Sequence, residues 1–339
     1  MSEALLVVRG LRVNYWLPPN RPWRRALSIR AVDDVDFDLK PGETLGIAGE
    51  SGCGKSTLAR ALTGLQPITA GSARLAGQEL KDLDRAGWRT LRREVQMVFQ
   101  DTIASLDPRM TVSQIIAEPL TNLYPQMASA EQRDRVLEIA EQVGLPGRDL
   151  HRYPHEFSGG QCQRIGIARA LVARPSVLIC DEPASALDVS IRAQIINLLK
   201  GLQNKHNLAM IFISHDLAVL KSISHCVLIM YLGKVMEQAR CEKLFADPAH
   251  PYTRALLSAA PLADPLQERA RRRIALRGEP SSPTTPPAGC VFHARCPWVA
   301  ERCKREIPVA RQFAPHRVVA CHFAGRLGDV PAQCSGAGQ

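Results

Sequence analysis

Apolar and polar residues alternate near the start of the chain in the pattern of short β-strands. Leu5 to Val13 and Val32 to Leu39 predict two strands, and the polar, proline-containing stretch Leu17 to Arg30 predicts a loop between them. Lys40 to Glu43 has the composition of a turn, and the apolar run Thr44 to Ala48 after it predicts a short buried strand.

The middle of the chain alternates between helical spacing and compact apolar runs. Ser56 to Leu65 predicts a helix, and from about Trp88 to Ala173 the spacing is mainly helical. The runs Val177 to Cys180 and Ala209 to Ile213 are typical of central parallel strands, with a crossover helix at Ile191 to Leu202. This order predicts an α/β fold with a mainly parallel sheet.

The composition changes after Ala260, where an arginine-rich cluster (269–277) gives way to a segment rich in proline, serine and threonine (279–287). Such a segment is a poor helix and strand former and predicts a linker. We therefore expect one large domain at residues 1–260, with a helical subdomain at about 88–173, and a small extension at 261–339.

Charge and hydropathy limit the classes of protein but do not select one. The chain has 339 residues and a net charge of +10, which suits nucleic acid, anionic lipid, nucleotide phosphates or simply a solvated basic surface. No apolar run reaches the ~18–20 residues that span a bilayer. The N-terminal run Ala4 to Val8 is too short for a signal peptide, so we expect the chain to stay in the cytoplasm.

A glycine-rich loop follows the buried strand and matches the pattern G-x-x-x-x-G-K-[ST]. Its glycines let backbone N–H groups wrap a phosphate at the positive end of the next helix. Lys55 would reach the β- and γ-phosphates and Ser56 would ligate Mg²⁺. The predicted phosphate contacts are Gly49, Ser51, Gly52, Cys53, Gly54, Lys55, Ser56 and Thr57.

Two acids end the apolar run at Val177 to Cys180. Because ligands collect at the carboxyl ends of parallel strands, Asp181 and Glu182 would face the phosphate loop. Asp181 suits Mg²⁺, and Glu182 suits the proton of an attacking water. Alone, this run could equally be a strand followed by a solvated turn; the phosphate loop upstream favours the functional interpretation.

A second anion site at a helix start is predicted by Phe157-Ser158-Gly159-Gly160-Gln161. With it, nearly the whole sequence resembles the ABC ATPases, which have a P-loop NTPase core. Val98-Phe99-Gln100-Asp101 resembles their glutamine loop, Ser185-Ala186-Leu187-Asp188 their D-loop and Ile213-Ser214-His215-Asp216 their histidine switch. Tyr15 occupies the place of the aromatic residue that stacks on adenine. Phe157, Cys162 and Ala184 depart from the residues most common in the family.

The resemblance implies a mechanism in which ATP joins two subunits. Gln100 would sense phosphate and Mg²⁺, Glu182 would polarise the attacking water, and His215 would lie close to the γ-phosphate. The signature residues would contact the ATP that the partner subunit binds, and Asp188 would also contact ATP. Those signature residues are Ser158, Gly159, Gly160 and Gln161.

Further segments resemble the ATPases of dipeptide and oligopeptide importers. Gln100 to Arg109, Asp247 to Leu257 and Gly289 to Pro297 carry this likeness, and Arg109 with Glu118-Pro119-Leu120 favours the second, F-type, of the two paired ATPases. The resemblance implies a paralogous ATPase in a heterodimer, two membrane permeases and an extracytoplasmic solute-binding protein. It places the chain at the cytoplasmic face of the inner membrane and implies no nucleic acid.

Ten cysteines without an export signal argue against a disulfide framework, and four of them follow the spacing C-x5-C-x6-C-x17-C. From the pattern alone, zinc, a [4Fe–4S] cluster and free thiols all remain open. The resemblance implies the iron–sulfur cluster, with Zn²⁺ as the alternative and His293 and His322 as bystanders. The four predicted ligands are Cys290, Cys296, Cys303 and Cys321.

Other functions fit parts of the sequence. Relatives with this tail also import nickel, glutathione and other small solutes. A soluble ABC ATPase acting on nucleic acid or ribosomes would suit the positive charge, but such proteins usually carry two nucleotide modules and this chain has one. A regulatory or sensor module governed by the cysteines lacks support, because no catalytic element is missing.

Overall fold

A computed structural model describes residues 3–17, 27–261, 273–276, 278–279 and 281–328. Parts of the arginine-rich cluster (269–277) and of the predicted linker lie outside these residues, as does Cys334. Within the described part of the chain, no helix is long and apolar enough to cross a membrane.

The described residues form twelve strands and eleven α-helices. The strands are β1 (Leu6–Leu17), β2 (Leu27–Leu39), β3 (Thr44–Ala48), β4 (Ala70–Leu75), β5 (Gln78–Glu79), β6 (Val95–Val98), β7 (Val177–Asp181), β8 (Ala209–Ile213), β9 (Cys226–Tyr231), β10 (Lys234–Arg240), β11 (Arg311–Ala314) and β12 (Arg317–Val319). The helices are α1 (Lys55–Leu62), α2 (Arg85–Leu91), α3 (Thr102–Ser105), α4 (Val112–Leu123), α5 (Ser129–Gln142), α6 (Gly159–Leu171), α7 (Val189–His206), α8 (Leu217–Ile223), α9 (Cys241–Ala246), α10 (Pro251–Ala259) and α11 (Glu301–Arg305).

The main sheet has eight strands in the order β11-β12-β10-β9-β3-β8-β7-β6. Strands β9, β3, β8, β7 and β6 run parallel to one another, which confirms the predicted α/β core. Every residue of β3, β7 and β8 is buried, because helices and the second sheet cover both faces. The carboxyl ends of these strands therefore meet at one edge of the molecule.

A separate antiparallel sheet has the order β2-β1-β4-β5. The predicted loop from Leu17 to Arg30 is too long, because β2 begins at Leu27 and pairs with the end of β1: Asn14 lies opposite Arg30 and Tyr15 opposite Ile29. Cross-strand pairing thus extends the hairpin into a polar segment that has no clear alternation.

Helices α3 to α6 follow β6 and pack on one another through buried aliphatic side chains. Ile115, Ile116 and Leu120 of α4 and Ile165 of α6 belong to one buried apolar core. Strand β6 lies inside the interval with mainly helical spacing; its four residues are too few to interrupt that spacing.

The C-terminal segment joins the main sheet by hydrogen bonds. Strand β12 pairs antiparallel with β10, placing Arg317 opposite Ala239 and Val319 opposite Glu237, and β11 pairs with β12 at the edge. This segment is too small to form a large apolar core of its own, so the core sheet supplies the surface on which it packs.

Candidate nucleotide site

The loop between β3 and α1 needs glycine for steric reasons. Gly49 and Gly54 have φ angles of 153° and 107°. A Cβ atom at Gly49 would lie 2.2 Å from the carbonyl oxygen of Met230, and one at Gly54 would lie 2.0 Å from that of Ala31. Only glycine lets the loop lie this close to the neighbouring backbone.

The N-terminus of α1 is open toward the loop. Gly54 precedes the helix and offers no side chain to cap it, so the first N–H groups of α1 can bind an anion. Lys55 is buried, and its Nζ donates to the carbonyl oxygens of Gly49 (2.8 Å) and Glu50 (3.0 Å). The ammonium group thus lies within the curve of the loop, as a phosphate ligand must.

Ser56 and Asp181 lie side by side at the start of α1 and the end of β7. The Ser56 hydroxyl donates to a carboxylate oxygen of Asp181 at 3.0 Å. Burial raises the pKa of Asp181, and the hydrogen bond from Ser56 opposes this shift. A hydroxyl and a carboxylate beside a phosphate loop are oxygen donors of the kind Mg²⁺ prefers, so these residues fit the expected ion.

Two side chains that follow neighbouring strands meet at Glu182, which itself follows β7. Gln100 Nε2 donates to Glu182 Oε2 at 3.3 Å, and His215 Nδ1 lies 3.2 Å from the same oxygen. Glu182 has a φ of 48°, and its N–H donates to the carbonyl oxygen of Ile213. A positive φ is uncommon in a residue other than glycine, and here it belongs to the residue on which Gln100 and His215 converge.

The signature segment begins α6 and is largely exposed. Ser158 caps the helix: its hydroxyl accepts from the N–H of Gln161, and the Gln161 side chain accepts from the N–H of Ser158 at 2.9 Å. Gly160 packs against Ile191, where an added Cβ would lie 2.5 Å from a methyl group. The segment therefore presents polar groups at a helix start on an accessible surface.

Two further predicted residues lie beside these elements. The hydroxyl oxygen of Tyr15 is 3.4 Å from the hydroxyl oxygen of Thr57, which places this aromatic ring next to α1. Asp188 is exposed and caps α7, accepting from the N–H of Ile191 at 3.0 Å and from the hydroxyl of Ser190 at 2.8 Å.

The four clustered cysteines line one cavity, together with the buried ring of Phe292. Burial raises the pKa of the Cys290 thiol to about 11 and that of the Cys296 thiol to about 12, and it also raises the pKa of Cys321. The N–H of Cys290 donates to the carbonyl oxygen of Cys303 at 2.8 Å. Among the described residues, no three histidine, cysteine or acidic side chains converge closely enough to hold a single metal ion.

The motifs did not identify two residues that contact the phosphate loop. Tyr252 accepts a hydrogen bond from the N–H of Glu50, and Arg295 forms an ion pair with the Glu50 carboxylate at 2.7 Å. Tyr252 lies in the segment Asp247 to Leu257 and Arg295 in the segment Gly289 to Pro297, both of which the sequence had set apart. Only the fold shows what they contact.

The fold and this set of side chains define an ABC-type ATPase. Residues 32–185 match the family model described as "ABC transporter", and residues 236–303 match that of the oligopeptide/dipeptide transporter C-terminal region. A solved dimer of the ATP-binding cassette MJ0796, bound to ADP and Pi in a post-hydrolysis state, aligns with 70% of this chain and 98% of its own at 28% identity and a TM-score of 0.62.

Similar relatives extend over almost the whole sequence. The oligopeptide transport ATP-binding protein OppF of Escherichia coli is 49% identical over 93% of this chain and 95% of its own length. The oligopeptide transport ATP-binding protein AppF of Bacillus subtilis is 48% identical over 95% and 98%. The chain belongs to this family of ABC transporter ATP-binding proteins, and it hydrolyses ATP.

Proposed function

We propose that this chain is the motor subunit of an importer for dipeptides or oligopeptides. The observation that carries the proposal is the match of residues 236–303 to the transporter C-terminal region, in a chain whose catalytic side chains are all present. Two of its relatives are named for oligopeptide transport, and a di/tripeptide transport ATP-binding protein of Pseudomonas aeruginosa is 47% identical.

In the proposed mechanism, Lys55 and the N–H groups of the loop bind the phosphates. Ser56, Asp181 and Gln100 would hold Mg²⁺, which neutralises charge on the phosphates. Glu182 accepts the proton of the attacking water. Gln100 and His215 contact the same oxygen of Glu182, so both can hold its carboxylate in place as the water is deprotonated.

Ser158 to Gln161 and Asp188 serve the second subunit in this proposal. Their exposure supports a role at an interface, where N–H groups at the start of α6 would contact ATP bound by a paralogous ATPase. Tyr15 would stack on the adenine of ATP in its own subunit. Two transmembrane permeases and an extracytoplasmic solute-binding protein complete the assembly, with this chain peripheral on the cytoplasmic face of the inner membrane.

The proposed domain division assigns residues 1–260 to the ABC ATPase, with its helical subdomain at about 88–173, and 261–339 to the extension. We further propose that the four cysteines of the extension hold a [4Fe–4S] cluster. This proposal is supported by the four thiols lining one cavity, as the ligands of a single bound group would. Such a group would fix the local fold of a small segment.

Isolation of the chain from membranes tests the motor assignment. We expect two multispanning proteins and a second ATPase to copurify with it, and purified complexes in vesicles to import peptides when supplied with ATP and the binding protein. Recovery with RNA or DNA after a high-salt wash, without membrane proteins, would contradict the importer. Import of nickel or glutathione but not of peptides would support the role as an importer motor and contradict peptides as the solute.

Metal analysis of anaerobically purified protein tests the cluster. We expect about four irons and four sulfides per chain, and visible absorption that fades on reduction. Zinc without iron or sulfide would contradict the cluster and favour a zinc site. If the protein contains neither zinc nor iron, the four cysteines are free thiols.

A further inference from the structure

Glu50, the second residue of the phosphate loop, is held from outside the loop at two points. Its N–H donates to the hydroxyl oxygen of Tyr252 at 2.9 Å, and its carboxylate pairs with Arg295 Nη1 at 2.7 Å. Its carbonyl oxygen accepts from Lys55 Nζ at 3.0 Å. One residue thus connects the lysine that binds phosphate to two residues beyond the β10 strand.

The cysteine-bearing segment fixes the position of Arg295. The residue ends a short 3₁₀ turn, His293–Arg295, and its N–H donates to the carbonyl oxygen of Phe292. Phe292 is fully buried, with its ring 5.3 Å from that of Tyr231 and 5.2 Å from that of Tyr252. The next residue, Cys296, lines the cysteine cavity. The side chain of Arg295 is only 10% exposed, so it has little freedom to leave Glu50.

The ion pair between Arg295 and Glu50 affects the charge of the phosphate loop as well as its position. Glu50 lies in a loop that must accept negatively charged phosphates, and an unpaired carboxylate there would repel them. Arg295 neutralises this carboxylate and fixes the backbone that carries it. A loop that is already ordered loses less conformational entropy when the nucleotide binds.

We propose that Arg295 is a positioning residue for the phosphate loop, through which the packing of the cysteine-bearing segment sets the affinity for nucleotide. The extension is then part of the nucleotide site as well as an appendage of the sheet. This inference depends neither on the imported solute nor on which metal the cysteines bind.

Binding of MgADP to the full chain, measured by titration calorimetry, tests the proposal without turnover. We expect Arg295→Met to weaken binding by about five-fold, the lower end of the usual coupling between sites. In a Glu50→Gln background, Arg295→Met should have almost no effect on binding, because there is no Glu50 carboxylate left to become unpaired. Arg295→Lys, which keeps a cation within reach of Glu50, should restore most of the affinity.

Arg302→Met is the matched control. Arg302 lies in the same extension and pairs with Glu306 at 2.6 Å on the surface, so its loss should leave MgADP binding unchanged. A lower melting temperature in Arg295→Met with unchanged affinity would reduce Arg295 to a structural role and overturn the proposal. Equal weakening in the wild-type and Glu50→Gln backgrounds would overturn it too.

A substitution at the cysteine cavity tests whether the packing of the cysteine-bearing segment affects nucleotide binding through Arg295. We expect Cys303→Ser to weaken MgADP binding in the wild type but not in the Glu50→Gln variant, because the effect passes through Arg295. If Cys303→Ser does not fold, Cys296→Ser serves the same comparison, since Cys296 directly follows Arg295 and lines the same cavity. Weakening of the same size in both backgrounds would show that the cavity acts on nucleotide by another path.

Discussion

Replacing Arg317 by methionine should weaken the attachment of the extension to the main sheet. Arg317 donates from Nη2 (2.9 Å) and Nε (3.1 Å) to one oxygen of Glu237, a fully buried carboxylate on β10. It also binds the backbone carbonyl and the carboxylate of Asp247. Methionine fills a similar volume but leaves the charge of Glu237 without a cation.

The structure sets the size of this effect. Removing one partner of a buried ion pair costs about 3–5 kcal/mol, because the remaining charge stays desolvated. Glu237 still accepts from the N–H groups of Ala249 (3.0 Å) and His250 (2.9 Å), which stabilise the carboxylate after Arg317 is lost. We therefore expect the lower end of the range, a loss of about 3 kcal/mol in the free energy that holds β12 on β10.

Hydrogen exchange of the β11–β12 peptides measures this free energy directly, and urea unfolding followed by circular dichroism measures that of the whole chain. A loss of about 3 kcal/mol should speed exchange of the β12 amides by roughly a hundred-fold. Arg302→Met, which breaks an exposed pair in the same segment, should change stability by less than about 1 kcal/mol.

Two outcomes separate the charge from the packing. The double variant Glu237→Gln, Arg317→Met should be more stable than Arg317→Met alone, because it removes the buried charge as well as its partner. If β12 exchanges at the wild-type rate in Arg317→Met, or if the double variant loses stability in proportion to two independent changes, the buried ion pair is not what holds the extension.

Two other changes test the nucleotide site. Glu182→Gln should lower steady-state ATP hydrolysis by about 10²–10⁴-fold while bound ATP is retained, because only the proton acceptor is lost; phosphate release and filter binding measure the two effects, and unchanged hydrolysis would remove Glu182 from its role. Gly54→Ala should abolish MgADP binding, because its Cβ would lie 2.0 Å from the carbonyl oxygen of Ala31. Gly77→Ala is its control, with a φ of 81° and no atom within 4 Å of the added Cβ, and equal binding in the two variants would exclude the clash as the cause.

The buried strands were predictable because their burial leaves a strong local signal. The predicted strands Thr44 to Ala48 and Ala209 to Ile213 match β3 and β8, each a continuous apolar run covered on both faces. The crossover helix was placed correctly but too short. Helix α7 begins after Asp188, which caps it, and ends at Asn207 in the left-handed conformation, and neither terminus interrupts the apolar spacing.

The position of two candidate site residues could be predicted from the sequence, and the contacts of the extension could not. Glu182 and His215 follow the apolar runs Val177 to Cys180 and Ala209 to Ile213, so their position at strand ends could be inferred from the sequence. Gln100 was identified only by the family resemblance, because β6 lies in an interval with mainly helical spacing. The pairing of Arg317 with Glu237 joins residues 80 positions apart, and that of Arg295 with Glu50 joins residues 245 apart. An arginine in a short irregular segment carries no sequence signal of its distant partner, which only the packing of the chain decides.

The two arginines have different consequences for the cysteine cavity. Arg317 precedes Cys321 and anchors the segment to the edge of the sheet, whereas Arg295 precedes Cys296 and pairs with the phosphate loop. A group held by the four cysteines would therefore bridge a structural anchor and a functional one. Loss of that group would loosen both ends, but only the Arg295 end would change nucleotide affinity. Arg317→Met should therefore lower stability and leave MgADP affinity unchanged, whereas Arg295→Met should lower MgADP affinity. Loss of a group bound by the cysteines should lower both.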